Sequence, residues 1–137
     1  MTAYRIDGAQ FSTLEEFFDE VTRVMIPDDF WGHNLDAFDD ILHGGFGTPD
    51  EGFELIWDNA DLSRDRLGYP ETVRQLELRL KRCHRSWRPF VAAQLDQARA
   101  GQGDTVFDWL IEIIEDHGPG GRKSESNVTL TLRPAGE

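Results

Sequence analysis

Carboxylates are concentrated on one side of a short segment, residues 34 to 43, where they could bind cations. At about 100° per residue, a helix here places its ionisable groups together, and these are Asp36, Asp39, Asp40 and His43. Asp36 and Asp40 form a like-charge pair at a spacing that costs a helix about 0.2 to 0.5 kcal/mol, and the segment has no lysine or arginine to offset it. Such faces are commonly just solvated, but uncompensated acids favour a surface for another molecule's cations.

Two further features accompany this acidic segment. The loop 30–34 places Phe30 and Trp31 directly before it, and rigid aromatic rings often anchor interfaces. Either ring could instead belong to the core, where large apolar side chains are usually found. A second acidic stripe recurs every four residues on a later predicted helix, at Asp108, Glu112 and Asp116. Two acidic ridges could flank one basic partner.

The charge of the chain is unevenly distributed. Residues 64 to 99 contain nine of the 14 basic residues and four of the 26 acidic residues. The rest of the chain therefore carries 22 acids against five bases, a net charge of -17. This excess argues against direct nucleic-acid binding, which needs clustered cations, and it favours a basic protein partner.

The elements that must position these groups alternate along a single domain, residues 1–137. Three strands are predicted from alternating apolar residues, at Tyr4–Ile6, Gly52–Asp58 and Val128–Leu132. The middle strand is expected to be central. Helices between the strands imply crossover connections, so we expect an α/β fold with a small three-stranded parallel sheet covered by helices.

The helices are predicted from apolar periodicity and capping residues. We expect a first helix from a Ser12–Glu15 capping box to Pro27, and a second from Asn34 to His43, ended by Gly44. Further helices are expected over 62–67, from Pro70, from a Ser86 cap to before Gly101, and from an Asp104 cap to Gly118. We expect the loop 119–126 to be mobile.

Other function classes receive little support. Cys83 is the one cysteine, and neither a signal core nor the roughly 20 apolar residues of a membrane span is present, so we expect a cytoplasmic protein without a membrane partner. An enzyme is the main rival, but the four histidines lack H-x-x-x-H spacing and no G-x-S-x-G occurs. We expect no catalytic residue, metal or cofactor.

One run of residues has a specific resemblance. The stretch 27–42, PDDFWGHNLDAFDDIL, resembles the signature of the barstar family, intracellular inhibitors of barnase-type ribonucleases. The shared pattern is aromatic-aromatic-Gly-x-Asn-Leu-Asp-Ala-aromatic-x-Asp. The resemblance covers about residues 4–63 and 104–133. Residues 64–101 have no counterpart in it and are interpreted as an arginine-rich helical insertion, either structural or serving as a lid, a self-association surface or an acidic-ligand site.

The resemblance implies a partner and a binding surface. The partner would be a basic, secreted-type ribonuclease whose active site is occluded by the loop and the acidic helix. Asp40 matches the acid that sits among phosphate-binding groups, Asp36 the acid one turn earlier, and Phe30 the ring that packs on the catalytic histidine. Other contact positions would be Gly32, Asn34, Leu35, Gly44, Glu112 and Asp116. With Trp31, Asp39 and His43 from the acidic helix and its loop, these make up the predicted site.

Departures from the family pattern leave the partner open. Phe30 lacks the hydroxyl of the usual tyrosine, Asp39 stands where the family has tryptophan, and residues 45–47 replace an aromatic-bearing stretch. An antitoxin, immunity or scaffolding module that binds a different basic protein is the alternative, and the oligomeric state is left undetermined.

Overall fold

A computed structural model describes residues 2–28, 31–44 and 47–136. Its sheet consists of β1 (Thr2–Asp7), β2 (Phe53–Asp58) and β3 (Val128–Leu132). All pairings are parallel and β2 is central, with Tyr4 opposite Leu55 and Leu55 opposite Leu130. The predicted α/β class and three-stranded parallel sheet are confirmed.

Six α-helices accompany this sheet in the described ranges. They are α1 (Leu14–Met25), α2 (Leu35–Leu42), α3 (Ala60–Arg66), α4 (Tyr69–Arg82), α5 (Arg88–Arg99) and α6 (Val106–Asp116). Short 3-10 turns lie at Gly8–Gln10, Arg85–Trp87 and Ser124–Ser126. None of the described helices is long and apolar enough to cross a membrane.

The main core lies on one face of the sheet. Phe53, Leu55 and Trp57 of β2 are completely buried, whereas the residues between them are half-buried. Phe17 of α1 stacks on Trp57 with ring centroids 5.4 Å apart, and Phe38 of α2 meets Phe17 edge-on at 5.3 Å. The apolar side of α2 is therefore buried against α1, and its acidic side faces outward.

The start of α1 differs from the predicted capping box. The N-cap is Thr13, whose hydroxyl accepts a hydrogen bond from the Glu16 amide at 3.1 Å. The Glu16 carboxylate in turn accepts one from the Ser12 amide at 2.8 Å. The Ser12–Glu15 assignment is wrong by one residue, because both adjacent hydroxyls can cap and burial of Leu14 decides where the helix begins.

Two later caps also differ. Thr105, not Asp104, caps α6, and it exchanges reciprocal hydrogen bonds with Asp108. Ser86 does not cap α5 but lies in the 3-10 turn before it, where its amide donates to His84 Nδ1 at 3.1 Å. The chain thus makes an extra turn before α5 begins.

The predicted insertion forms a helical hairpin, α4 and α5, with its own apolar cluster. Leu76 of α4 is buried against three residues of α5, and these are Val91, Leu95 and Ala98. The hairpin is also attached to the rest of the fold. The Glu71 carboxylate accepts from the Leu14 amide at 2.8 Å, and the Thr72 hydroxyl accepts from the Val106 amide at 2.9 Å. The first turn of α4 therefore completes the N-termini of α1 and α6.

Candidate partner-binding site

The acidic side of α2 is exposed as predicted. Asp36 and Asp40 are both exposed, and within residues 2–28, 31–44 and 47–136 neither carboxylate has a hydrogen bond or an ion pair. Ile41 and Leu42, on the opposite side, are 1% exposed and hold the helix in the core. The two carboxylates are thus available to a partner.

Three predicted contact residues determine how α2 begins and packs. Asn34 is the N-cap, and its Oδ1 accepts from the Ala37 amide at 2.8 Å. Gly32 has φ +85°, a conformation that favours glycine, and a β-carbon there would lie 3.3 Å from that of Ala37. Leu35 is half-buried against the core. The backbone conformation of Gly32 and the side chains of Asn34 and Leu35 therefore position the helix.

Trp31 is buried, so its prediction as a partner-binding residue is wrong. Its side chain is 4% exposed, its Nε1–H donates to the Thr22 hydroxyl at 2.6 Å, and its ring meets Phe18 edge-on at 5.4 Å. The ring belongs to the core and is not an exposed anchor, because the Thr22 hydroxyl satisfies its polar edge. Phe30, the other predicted anchor, lies outside the described residues.

The Thr22 hydroxyl also contacts His33, another described residue before α2. It donates to the Phe18 carbonyl at 2.9 Å and contacts His33 Nε2 at 2.9 Å. His33 has φ +48°, a left-handed conformation that is uncommon for a residue other than glycine. One threonine of α1 therefore holds Trp31 and His33 together.

Asp39 is neutralised within the molecule, which was not predicted. Its carboxylate accepts a 2.6 Å hydrogen bond from His117 Nε2 and pairs with the Lys123 ammonium. Partial burial on its own would raise the pKa of Asp39, but hydrogen bonds from Lys123 and His117 outweigh it and hold that pKa below its usual range. Asp39 serves as an internal ion-pair partner, and its charge is not free for a partner protein.

A network of side-chain hydrogen bonds extends from Asp39 to the surface. His117 is buried, and its Nδ1 lies 2.7 Å from the Ser126 hydroxyl, which in turn lies 2.9 Å from His43 Nδ1. When His117 is neutral, Ser126 donates to it and accepts from His43. This hydrogen-bond network connects α2 to the end of α6 and to the 3-10 turn before β3.

Two of the three acids in the α6 stripe form contacts within the chain. Asp108 is engaged in the capping box with Thr105. Asp116 accepts a 2.6 Å hydrogen bond from Arg122, which holds the pKa of Asp116 below its usual range. Glu112 is exposed and, in the described part of the chain, makes no hydrogen bond or ion pair. Of the three predicted acids, only Glu112 keeps an unpaired carboxylate.

Two depressions lie beside these acids. The first, of about 500 Å³, is lined by Asp39, Asp40, His43, Gly44, His117, Lys123 and Glu125. The second, of about 530 Å³, runs along α6 and its lining includes Asp104, Asp108, Glu112, Glu115 and Asp116. Gly44 follows α2 with φ +98°, and a β-carbon there would approach Asp50 to 2.9 Å. Asp39 and Asp40 of α2 thus border the first depression, and Asp108, Glu112 and Asp116 of α6 border the second.

The arginines of the hairpin do not cover this surface. Arg74 pairs with Glu15 and Glu71, and Arg79 lies over the Trp109 ring at 5.2 Å. Neither Asp36 nor Asp40 forms an ion pair with any of the nine bases in residues 64 to 99 in the described part of the chain.

Sequence reasoning missed the cations and the serine that organise the site. Arg122 and Lys123 are two of the five bases outside residues 64 to 99, and they are adjacent. That isolated basic pair after an acidic helix was a usable signal for ion pairing. The loop 119–126, expected to be mobile, makes these ion pairs and also a hydrogen bond from the Lys123 amide to the Asp116 carbonyl at 2.7 Å. No group of three or more histidine, cysteine, aspartate or glutamate side chains with the geometry of a metal site occurs among the described residues.

Comparison with known proteins identifies the family. A search of curated proteins gave no match to this chain. A family model described as Barstar (barnase inhibitor) matches residues 1–132, almost the whole chain. The match includes the motif of α2, the sheet and α6, and the chain belongs to the barstar family.

Proposed function

We propose that this protein inhibits a basic, secreted-type ribonuclease by placing α2 and the loop before it against the enzyme's active site. The observation that carries the proposal is the contrast between two sets of acids. Asp39 and Asp116 are neutralised by cations of the same chain, whereas the exposed Asp36 and Asp40 have no such partner in the described ranges.

The physical basis is mimicry of substrate charge. A ribonuclease binds RNA phosphates with arginine and lysine side chains, and aspartates at adjacent turns of a helix offer oxygen acceptors to the same groups. Burying such a carboxylate is favourable only where the partner replaces its water with well-placed donors. Asp36 and Asp40 are thus selective for a partner with a matching set of cations.

The acidic face is also attached at both ends by hydrogen bonds within the chain. Asn34 caps α2 at one end, and at the other the His43–Ser126–His117 chain ties it to α6. A prearranged surface loses less conformational entropy on binding, so more of the electrostatic attraction appears as affinity.

The test is inhibition of a purified barnase-type ribonuclease by the purified protein. We expect stoichiometric inhibition, weakened by Asp40→Asn by about 2 to 5 kcal/mol, or roughly 30- to 4000-fold in Kd. Asp65→Asn is the matched control, because Asp65 is an exposed acid of α3 outside both depressions. Equal potency of Asp40→Asn and the wild type would rule out the proposed geometry.

A basic partner that is not a ribonuclease is the alternative. Salt-sensitive binding to such a protein, lost in Asp40→Asn and accompanied by no ribonuclease inhibition, would support an antitoxin, immunity or scaffolding role at the same surface. In either case we propose a cytoplasmic, non-catalytic protein, and cell fractionation with an antibody checks the location.

A further inference from the structure

The junction of α4 and α5 exposes two large aromatic rings. Trp87 is 61% exposed and Phe90 is 65% exposed, with ring centroids 5.7 Å apart. The other large hydrophobic side chain that is exposed in the described chain, Leu132, is 38% exposed. Two adjacent rings left in water on an otherwise well-packed chain indicate a surface that another molecule covers.

The rings border an apolar groove of about 710 Å³ between the two helices. Its lining includes Arg79, Cys83, Trp87, Phe90, Ala93 and Gln97. On α5 the lining residues Phe90, Ala93, Gln94 and Gln97 lie on one side of the helix. Val91, which also lines the groove, and Leu95 are buried against α4. The side of α5 that carries Phe90 and Ala93 is therefore left open, whereas the side that carries Leu95 is covered by α4.

Cations are concentrated in the segment that contributes to this groove, and Arg79 lines the groove itself. Residues 79–88 contain five lysines or arginines and no acid, namely Arg79, Lys81, Arg82, Arg85 and Arg88. None of the five forms an ion pair within the described part of the chain, although Arg79 lies over Trp109. An occupant must therefore bring apolar side chains for the groove and negative charge for its rim.

We propose that this groove, the α4–α5 groove, binds an acidic amphipathic helix of another protein. A helix laid between α4 and α5 would bury apolar residues spaced three and four apart, the usual way in which a helix fills a groove. The 12 residues of α5 span about 18 Å, enough for roughly three turns of a bound helix. Glutamates and aspartates beside the apolar stripe would meet Arg79 and the arginines that flank Trp87 in the sequence, Arg85 and Arg88.

Two other occupants fit the groove less well. Single-stranded RNA needs ring faces on which successive bases stack, but Trp87 and Phe90 are inclined at 51° to each other and the chain carries a net charge of -12. A second copy related by a two-fold axis would bring the same cations face to face. The acidic helix is the occupant that satisfies both the apolar lining and the basic rim.

The test uses a synthetic helical peptide of about 14 residues, with leucines spaced three and four apart and glutamates at the other positions. Titrated into the ¹⁵N-labelled full chain, it should shift amide signals of residues 83–97 and bind more weakly as salt rises. Phe90→Ala and the double variant Arg85→Glu, Arg88→Glu should each weaken binding at least about tenfold. Arg99→Glu, an exposed arginine of the same helix outside the groove lining, should change it less than about twofold.

Several outcomes would overturn this assignment. They are equal binding of a peptide with lysines in place of the glutamates, binding of polyuridylate without binding of the acidic peptide, and a wild-type dimer that Phe90→Ala dissociates in sedimentation experiments. Because Phe90 is exposed, its removal should leave the thermal midpoint nearly unchanged; Trp87→Ala provides a second groove variant. The proposal is independent of the ribonuclease proposal, and every groove variant should inhibit the enzyme as the wild type does.

Discussion

The Asp39 carboxylate on α2 lies 2.6 Å from Nε2 of His117, the residue that ends α6. The two residues are 78 positions apart in the chain, and their contact joins the acidic helix to the last helix of the fold. Lys123 binds the other oxygen of the same carboxylate. Asp39 is thereby distinguished from Asp36 and Asp40, its neighbours on α2.

Replacing Asp39 should reduce stability. In Asp39→Ala the buried His117 Nε2–H and the Lys123 ammonium lose their acceptor, and an unsatisfied buried donor costs about 1 to 3 kcal/mol. Urea denaturation measures the change in the free energy of unfolding. An unchanged midpoint in Asp39→Ala would show that this contact contributes nothing to the fold.

Replacing Asp40 should have the opposite sign. Asp40→Ala removes a like-charge neighbour of Asp36 from the last turn of α2, where an acid opposes the helix dipole, and it introduces a better helix former, so we expect the free energy of unfolding to rise by about 0.2 to 0.7 kcal/mol. The same denaturation experiment checks it. A clear loss of stability would mean that Asp40 is engaged by a group of its own chain, and the inhibitory surface would then be closed.

Acid should weaken the fold partly through Asp39. Its pKa is lower in the folded chain than its ordinary value of 3.8, so its contribution to stability is fully present above that value and is lost as the pH falls through the folded pKa. Stability measured from pH 7 down to about pH 3 should fall less steeply for Asp39→Asn than for the wild type. Parallel curves would show that Asp39 does not contribute to the acid sensitivity.

Association with the ribonuclease should depend steeply on salt. Unpaired carboxylates attract a basic enzyme over a Debye length of about 30 Å at 10 mM salt and about 8 Å at 150 mM. We expect the association rate constant to fall at least about tenfold over this range, with a much smaller change in the dissociation rate constant. Stopped-flow fluorescence measures both rates, and a salt-independent association rate would contradict charge steering.

We expect that the α4–α5 hairpin can be deleted without loss of the fold only if the first turn of α4 is kept. Deleting 70–101 removes Glu71 and Thr72, which leaves the amides of Leu14 and Val106 without acceptors and costs about 1 to 3 kcal/mol for each. Replacing 76–102 by a short glycine-serine linker keeps both contacts. We expect the shorter deletion to retain both the fold and the inhibition, as measured by circular dichroism and ribonuclease assay. Loss of inhibition in a folded shorter deletion would assign the hairpin a part in the interface.

Local patterns predicted much of the framework. The alternation of Phe53, Leu55 and Trp57 indicated the central strand, and Asn34 and Gly44 marked the two ends of α2. These signals are readable because strand alternation and helix capping act over a few residues. The misplaced caps arose where two adjacent polar residues both had the chemistry to cap.

The amino-acid sequence by itself determined the acidic side of α2, the strand pattern of the α/β fold and the separation of charge between the hairpin and the rest of the chain. Only the tertiary structure decided which acids remain free, because Asp39 and Lys123 are 84 positions apart and meet only once α2 and the segment after α6 are packed together. It also decided that Trp31 is core, since its burial depends on contacts with Phe18 and Thr22 of α1. Charge and periodicity are local properties of a chain, whereas neutralisation and burial depend on which distant segments the fold brings into contact.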